Sequence, residues 1–421
     1  MSERDFRDKT AIAGIGYSRS LEQPGAFSKN SGVDVLTLAV RAAREACADA
    51  GIDPKEIDGA VMYEIGSDSI AVRAVVSALG CVRNSYVSSL VGGGPLASLA
   101  VVQAAQAVHH GICSYVLVYR AMNGRSEVRM GQWGSGWGSG WGSGWGNQGD
   151  QRVTAVPRIG GDGQFTRVYG LAGAPSESAF EARRYMELHG VTSADFAEWA
   201  VGARANAVAN PRAVMRKPIT VEDHQASPLI TEPYHLLDCC LETDVACALI
   251  VTTAERARDL RKHPVLVSAG SGGHRSADEI VDTGMRTLGP RLLSAAGVER
   301  GDVDLFEAYD NFTDMPMRML EDMGWCARGE AKDFAGEGRT RLDGELPMNT
   351  HGGLMNEGYC HGFNNVLEAV QQLRWEAEDL CPEWTAGKHT YDRAICRQVP
   401  EPEVALNASV GGLSGLVMRR A

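Results

Sequence analysis

The sequence predicts an α/β protein whose fold contains a duplicated unit. An apolar strand over 10–16 is followed by a helical pattern over 33–50 and by a second apolar strand over 59–63. A strand–helix–strand order is typical of the α/β class and predicts parallel pairing of the two strands. The segment 50–64 recurs without gaps at 296–310, with alanine, glycine, aspartate and tyrosine in matching places. We therefore interpret the chain as two similar α/β units.

Composition limits the class of protein. A chain of 421 residues with 44% hydrophobic content is long enough for two or three units and a large core. It has no run of 18 apolar residues and a charged start, so neither a membrane span nor a signal peptide is predicted. Ten scattered cysteines without zinc-site spacing favour reduced thiols in a cytoplasmic protein and no metal site. A net charge of −12 argues against general nucleic-acid binding.

A glycine-rich turn opens the next helix of the first unit. Gly92, Gly93 and Gly94 precede an alanine-rich helix over 96–108, and a strand over 113–119 comes next. The three glycines can be explained by a helix that needs a flexible N-terminus. They are also candidates for a loop that contacts a substrate, and both interpretations can hold.

A long segment, 120–234, interrupts the alternation of predicted strands and helices. Within it the tetrad Trp-Gly-Ser-Gly recurs every four residues from Trp133, and so much glycine disfavours a stable helix. The repeat is either a mobile low-complexity loop or an aromatic surface for a flat apolar ligand or a partner chain. Helices are predicted over 180–188 and 194–209. We interpret these helices as part of a lid that covers the active site.

The most informative stretch is 351–365, which contains four glycines, two histidines, a tyrosine and a cysteine. An amphipathic helical pattern over 366–374 follows it. Such a turn lets a ligand approach the backbone, and the free N–H groups of a helix start favour negative charge. Spacing alone leaves a tight surface loop equally open.

This stretch resembles the C-terminal histidine motif of the thiolase superfamily. Gly352-Gly353-Leu354 and the frame of Gly358 and Gly362 match the motif without a gap. The position of the catalytic histidine is taken by Tyr359, and that of the following proline by Cys360. The frame of the motif is therefore kept while its reactive side chain differs.

Three further segments resemble the same superfamily. The position of the nucleophilic cysteine at a helix start falls at about Gly94, and the sequence has no cysteine between positions 81 and 113. The segment 306–312 resembles the motif with a polar Asn or His before a phenylalanine, with Tyr309 in the polar position. The segment 407–415 resembles the loop of the second cysteine, where Ser409 now stands.

The resemblance implies an α/β, thiolase-like fold. It implies duplicated βαβαβαββ halves stacked in five layers (αβαβα), with the segment 120–234 inserted as a loop or lid. A new strand over 265–269 follows His263-Pro264. We therefore predict an N-terminal half at 1–262 and a C-terminal half at 263–421.

Loss of all three reactive positions argues against thiolysis, which needs a thiolate nucleophile. Within the superfamily the chain resembles the lipid-transfer-protein-like branch and its steroid side-chain-cleaving aldolases. This implies retro-aldol cleavage of a β-hydroxyacyl-CoA in sterol or bile-acid catabolism, giving a 17-ketosteroid and propionyl-CoA or a related short acyl-CoA. We assign the acid–base work to Tyr359 and Tyr309, and a tyrosine base needs a lowered pKa.

The remaining predictions concern supporting groups and partners. Candidates for stabilising the enolate oxygen or orienting the tyrosines are His361, Ser409, Gly411 and Gly412, and Asn311 joins the substrate-loop glycines. The resemblance implies a coenzyme A thioester as substrate without a further cofactor. It also implies a homodimer core joined by a small subunit with an OB-fold and a zinc ribbon.

Two other functions stay open from the sequence. One is a thiolase or acyltransferase that uses another cysteine, such as Cys360. The other is a non-catalytic acyl-CoA or lipid carrier, or a scaffold for another subunit. The steroid nucleus and the length of its side chain are not defined by the residues.

Overall fold

The structure, a computed structural model, describes residues 6–18, 27–65, 68–126, 165, 169–171, 173–272, 279–377 and 397–421. The Trp-Gly-Ser-Gly repeat lies outside these residues, so both interpretations of it stay predictions.

The strands share two features: most are apolar and fully buried, and most belong to one large sheet. In chain order they are β1 Thr10–Tyr17, β2 Gly59–Glu64, β3 Tyr86–Val91, β4 Val116–Asn123, β5 Leu229–Thr231, β6 Tyr234–His235, β7 Asp244–Thr253, β8 Val265–Gly272, β9 Leu305–Ala308, β10 Val404–Ala408 and β11 Ser414–Arg420.

The helices connect these strands and cover the sheet. In chain order they are α1 Val35–Ala50, α2 Val72–Leu79, α3 Ala97–His109, α4 Ala174–His189, α5 Ser193–Val208, α6 Val221–Gln225, α7 Ala254–Ala257, α8 Met285–Ala296, α9 Asp314–Asp322, α10 Ala331–Gly336 and α11 Phe363–Leu373. None of these described helices combines the length and the apolar character needed to cross a bilayer.

Sheet topology confirms the predicted duplication. The strand order is β3-β2-β4-β7-β1-β8-β11-β10-β9. Outward from the centre, β1, β7, β4 and β2 correspond in order to β8, β11, β10 and β9. A short antiparallel pairing of β1 with β8 joins the two series. The counterpart of β3 is reduced to a single parallel bridge between Phe306 and Met348, so the second series departs from the predicted βαβαβαββ pattern at this strand.

The predicted pairing of β1 with β2 is wrong. β1 pairs with β7 and β8, both antiparallel, whereas β2 lies between β3 and β4 and is parallel to both. The two strands therefore point the same way, but β4 and β7 separate them. β7 comes from far along the chain, after the inserted segment, and no local pattern shows that it occupies this place.

Matching local sequences form matching local structures in the two units. α1 and α8 both end at a glycine in the left-handed region, Gly51 with φ +78° and Gly297 with φ +69°. A short 3₁₀ turn with a capping box follows each helix, initiated by Asp53 in one unit and by Glu299 in the other. In both turns the N–H of the cap residue donates to the carboxylate three residues later, Glu56 at 2.9 Å and Asp302 at 2.7 Å. The repeat in sequence is thus a repeated helix–turn–strand unit.

Helix packing gives the predicted five layers. α3 packs against β4, β7 and β2 of the first unit and also against β8 and β11 of the second. α11 contacts α3, β9 and β10 as well as β7, so the two helices form the central layer. α1 and α2 cover the outer face of the first unit, and α8 that of the second. Ala100, Ala104 and Ala105 of α3 are fully buried, and their small side chains allow this helix to pack closely between the two sheets.

Candidate active site

The two predicted tyrosines meet in the interior. Tyr309 follows the end of β9, and Tyr359 lies in the glycine-rich loop before α11. Their hydroxyl oxygens are 2.8 Å apart, and either hydroxyl can donate. The side chains are 3% and 5% exposed. Because the carboxyl end of a strand is where α/β sheets bind ligands, this pair lies where a site is expected.

Gly94 faces this pair directly. It begins the 3₁₀ turn Gly94–Leu96 that leads into α3. A methyl group placed on Gly94 would lie 2.6 Å from Cζ of Tyr309, and one placed on Gly362 would lie 2.6 Å from Cδ2 of the same ring. The phenol therefore occupies the space that a side chain at either position would need. The position matched to the thiolase nucleophile is thus filled by Tyr309.

Burial dominates the electrostatics of the tyrosine pair. It raises the pKa of both Tyr309 and Tyr359 well above the usual value, and the neighbouring Cys240 raises both further. The Arg120 charge lowers both pKa values by a smaller amount. The lowering expected from the sequence is therefore not found, because the effect of the Arg120 charge is opposed by a larger desolvation. Both phenols stay protonated at neutral pH.

His361 lies beside Tyr359, with ring centroids 4.8 Å apart in an edge-on arrangement. Its Nδ1 accepts from Nε of Arg120 at 3.1 Å. Burial, and then the Arg120 charge, hold the pKa of His361 well below its usual value. The histidine is thus a neutral ring in a fixed orientation next to the tyrosine pair.

The substrate-loop candidates Gly92, Gly93 and Asn311 have different hydrogen-bonding environments. The N–H groups of Gly92 and Gly93 both donate to the carbonyl of Glu64, at 2.9 and 3.1 Å, so these groups are already used. Asn311 follows the tyrosine by two residues, and its side-chain oxygen is buried without a partner among the described residues. Its carbonyl accepts from Cys240 N–H at 2.9 Å. Asn311 therefore keeps an acceptor available near the site, whereas the two glycines shape the turn.

The C-terminal candidates support the start of α3. Ser409 Oγ accepts from the N–H of Ser98 at 3.2 Å and from Oγ of Ser414 at 2.8 Å. The N–H of Gly412 donates to the Ser409 carbonyl at 2.8 Å, so it is not free for an enolate oxygen. The Gly411 carbonyl accepts from Gly284 N–H at 2.6 Å. The loop packs against the 3₁₀ turn at Gly94, and its hydrogen bonds are structural.

Sequence reasoning missed three residues around the pair. Arg120 and Asp68 form a buried ion pair behind His361. Burial raises the pKa of Cys240 well above its usual value, so its thiol is neutral, and it raises the pKa of the tyrosines only where it is ionised. A Cys-Cys doublet just before β7 was the one available indication. The alternative nucleophile, Cys360, is fully buried, and its thiol donates to the Arg120 carbonyl at 3.4 Å.

A buried charged network supports the loop that carries Tyr359. His351 lies 3.1 Å from a carboxylate oxygen of Glu307 and 3.8 Å from one of Glu357. Burial lowers the pKa of His351, but the two glutamates outweigh it and raise the value to about 9. Glu357 also accepts from Arg212 at 3.0 Å. The loop is therefore held by paired charges. Among the described residues, no cluster of His, Cys, Asp and Glu is arranged to hold a metal ion.

Asp310, next to Tyr309, gives the fold a pH dependence. Burial raises the pKa of this carboxyl to about 7. The folded state keeps the proton up to that pH, whereas an unfolded aspartate releases it near ~3.9. The folded state thus binds more protons in this window, so the stability from Asp310 falls as pH rises through about 7. In Asp310→Asn this loss is absent. The free energy of unfolding of the variant, relative to that of the wild type, should therefore rise by up to about 1.4 kcal/mol per pH unit between roughly pH 5 and 7.

Urea unfolding of both proteins at several pH values measures this difference. Asp259→Asn, which changes an exposed carboxyl, is the control. Its free energy of unfolding should differ from that of the wild type by the same amount at every pH. A constant difference for Asp310→Asn would show that the buried carboxyl is already ionised at low pH.

The five-layer fold and a nucleophile position filled by a phenol define a thiolase-fold protein without the thiolase nucleophile. Residues 269–385 match the family described as thiolase C-terminal domain-like. The chain is 39% identical over 380 residues to the 17-hydroxy-3-oxo-4-pregnene-20-carboxyl-CoA lyase of Mycobacterium tuberculosis, covering 87% of this chain and 92% of that protein.

Two further comparisons indicate the same family. The chain is 38% identical over 375 residues to the steroid side-chain-cleaving aldolase of Thermomonospora curvata, covering 86% of this chain and 90% of that protein. The solved structure of the Ltp2-ChsH2(DUF35) aldolase has a TM-score of 0.81 and 35% identity, covering 99% of this chain and 98% of that one. The chain therefore belongs to the steroid side-chain-cleaving aldolases of the thiolase superfamily, and it is a carbon–carbon lyase.

The close approach of Gly94 to Tyr309 leads to a prediction. In Gly94→Ala the new methyl group must displace the phenol, because it would lie 2.6 Å from Cζ of Tyr309. We expect turnover to fall by roughly a hundredfold, since a displacement of about 1 Å can cost that much. Steady-state kinetics measure the effect. In the control, Gly301→Ala, the methyl group meets nothing within 4 Å and turnover should not change. Normal turnover in Gly94→Ala would place the reacting atoms away from Tyr309.

Proposed function

We propose that this chain cleaves the side chain of a steroid β-hydroxyacyl-CoA by a retro-aldol reaction, releasing a 17-ketosteroid and propionyl-CoA. The observation that carries the proposal is the Tyr309–Tyr359 hydroxyl pair, 2.8 Å apart, in the place of the thiolase nucleophile. The named relatives, a pregnene-carboxyl-CoA lyase and a steroid side-chain-cleaving aldolase, support this substrate class.

The reaction balances without a covalent intermediate. One phenol oxygen takes the proton of the tertiary β-hydroxyl as it passes its own phenolic proton to the other phenol. The electron pair of the broken O–H bond stays on the substrate oxygen and forms the second bond of the ketone. The bond between the β- and α-carbons breaks, and its electrons form the enolate of the shorter acyl-CoA. The other phenol then protonates the α-carbon. The chemistry consumes no oxidant, reductant or second substrate, so we propose that it needs no cofactor.

The raised pKa of both phenols favours a relay over a free phenolate. Because the hydroxyls of Tyr309 and Tyr359 are hydrogen-bonded, one can accept a proton while it passes its own to the other, and the other gives up its original proton to the α-carbon. The substrate hydroxyl and the α-carbon are only two bonds apart, which suits delivery by the second phenol. A relay keeps the buried pair neutral, whereas a lone phenolate would carry an uncompensated charge.

Mass spectrometry of the products tests this function. The substrate is 17-hydroxy-3-oxo-4-pregnene-20-carboxyl-CoA, incubated with the chain co-expressed with a small second subunit. We expect ketosteroid and propionyl-CoA in equal amounts and without added free coenzyme A. A trapped acyl-enzyme, or cleavage only when free coenzyme A is supplied, would instead indicate a thiolase. Tight binding without cleavage would indicate a carrier.

We further propose a homodimer core joined by a small OB-fold and zinc-ribbon subunit. Strand β3 is an edge strand in the sheet order, and its side chains at Val87 and Val91 are exposed, the latter by 66%. An unpaired edge with apolar side chains is suited to pairing with a second copy. The solved aldolase of the same family, Ltp2-ChsH2(DUF35), supports the second subunit. Light scattering of the purified chain, alone and co-expressed, measures both assemblies.

A further inference from the structure

Arg120 is a fully buried cation on β4, and two of its nitrogens contact His361. Its Nε donates to His361 Nδ1 at 3.1 Å, and its Nη2 lies 2.6 Å from the same nitrogen. Nη2 also pairs with Asp68, and Nη1 donates to the carbonyl of Ala121 at 2.8 Å. A guanidinium can only donate. Nδ1 is therefore the acceptor nitrogen, and a neutral ring carries its proton on Nε2.

Other contacts hold the same ring and its backbone. The hydroxyl of Tyr63 on β2 donates to the His361 carbonyl at 2.9 Å. His361 itself has φ +51°, a conformation that is uncommon for a side chain other than glycine and that clusters at functional sites. Within the described part of the chain, no group accepts from Nε2. An oriented N–H donor is thus left beside Tyr359.

We propose that Arg120 and Asp68 are positioning residues that hold His361 as an Nε2–H donor to the thioester oxygen of the substrate. This rests on the retro-aldol reaction proposed above. Negative charge appears on that oxygen as the carbon–carbon bond breaks, and the hydrogen bond strengthens then without transferring a proton. The low pKa of His361 is consistent with a neutral donor.

Asp68 has a separate part in this arrangement. It neutralises the guanidinium, so no unpaired buried cation remains when substrate is absent. Its nearest oxygen lies 3.9 Å from His361 Nδ1, beyond a hydrogen bond, so the carboxylate acts on the ring through Arg120. Among the described residues, the groups that face His361 are Arg120 from β4, Asp68 from the segment after β2, Tyr63 from β2, and Tyr359 from the same loop.

A mutant cycle on the full chain tests the inference. His361→Phe removes the donor and should lower kcat roughly a hundred- to a thousandfold while KM stays unchanged, because the hydrogen bond forms in the transition state. Arg120→Met combined with Asp68→Asn removes both charges together and leaves no unpaired ion. We expect this variant to lower kcat with the same KM. Added to His361→Phe, it should cause no further loss, because it acts through the same donor.

A merely structural role for Arg120 would give losses that add, and would overturn the inference. So would a His361→Phe variant that changes KM and leaves kcat intact. The control is Arg318→Met combined with Asp314→Asn, which removes another fully buried pair with Nε and Oδ2 2.9 Å apart. This control should change neither kcat nor KM, alone or added to His361→Phe.

Nitrogen NMR of histidine-labelled protein separates this inference from the proposed function. In the ligand-free wild type, the ring of His361 should show an unprotonated Nδ1 and a protonated Nε2, identified by comparison with His361→Phe. The Arg120→Met and Asp68→Asn pair should give a mixture of the two forms. A protonated Nδ1 in the wild type would contradict the assigned tautomer, whether or not the chain cleaves the steroid thioester. Correct NMR signals without any cleavage would instead reject the proposed function.

Discussion

Tyr309→Phe and Tyr359→Phe should each lower turnover roughly a hundred- to ten-thousandfold, the range for loss of a general acid or base. In a relay each phenol needs the other, because the proton received at one oxygen leaves from its partner 2.8 Å away. The double variant should therefore be no slower than the worse single variant. Steady-state kinetics on the steroid thioester measure all three proteins.

Two measurements test whether the loss of turnover is caused by unfolding instead of by loss of the hydroxyl. Each substitution removes one hydrogen bond, which costs about 1 kcal/mol of folding stability, so unfolding transitions should change little. Tyr115→Phe is the matched control, since Tyr115 precedes β4 at the end away from Arg120 and packs under Arg256. Near-normal turnover in either active-site variant would remove that tyrosine from the mechanism, and losses that add in the double variant would indicate separate roles instead of a relay.

The second large effect concerns folding. Arg212 donates to Glu357 at 3.0 Å, to Glu368 at 3.0 Å and to Gln371 at 2.7 Å, and all of these side chains are buried. Arg212→Met leaves two buried carboxylates without this partner, although Glu368 keeps its ion pair with Arg397. We expect a loss of about 3–5 kcal/mol, the usual cost of breaking a buried pair on one side. Chemical denaturation measures it.

The chain offers a control four residues away. Arg216 is exposed and donates to the backbone carbonyl of Val208, so Arg216→Met should change stability by less than about 0.5 kcal/mol. Adding Glu357→Gln to Arg212→Met removes the stranded charge and should recover part of the loss. A loss below about 1 kcal/mol for Arg212→Met would mean that water reaches these carboxylates.

Local patterns predicted most of the elements. The helix over 33–50 and its C-terminal glycine are confirmed as α1 and Gly51, and the predicted helices over 180–188 and 194–209 are confirmed as α4 and α5. The pairing of β1 was wrong, because its partner β7 lies far away in sequence. Burial of the phenols reversed the expected direction of their pKa shift, since desolvation depends on neighbours from several segments.

The amino-acid sequence by itself determined the α/β class, the duplicated unit and the replacement of thiolase side chains at Gly94 and Tyr359. The class and the duplicated unit follow from periodicity and turn chemistry, which act over a few residues. The replaced side chains follow from the resemblance of the motifs to those of the thiolase superfamily. Tertiary structure alone decided that Tyr309 and Tyr359 share a hydrogen bond and that Arg120 reaches His361 across 241 positions of the chain. Such contacts depend on which strands become neighbours, and that is settled by packing of the whole core.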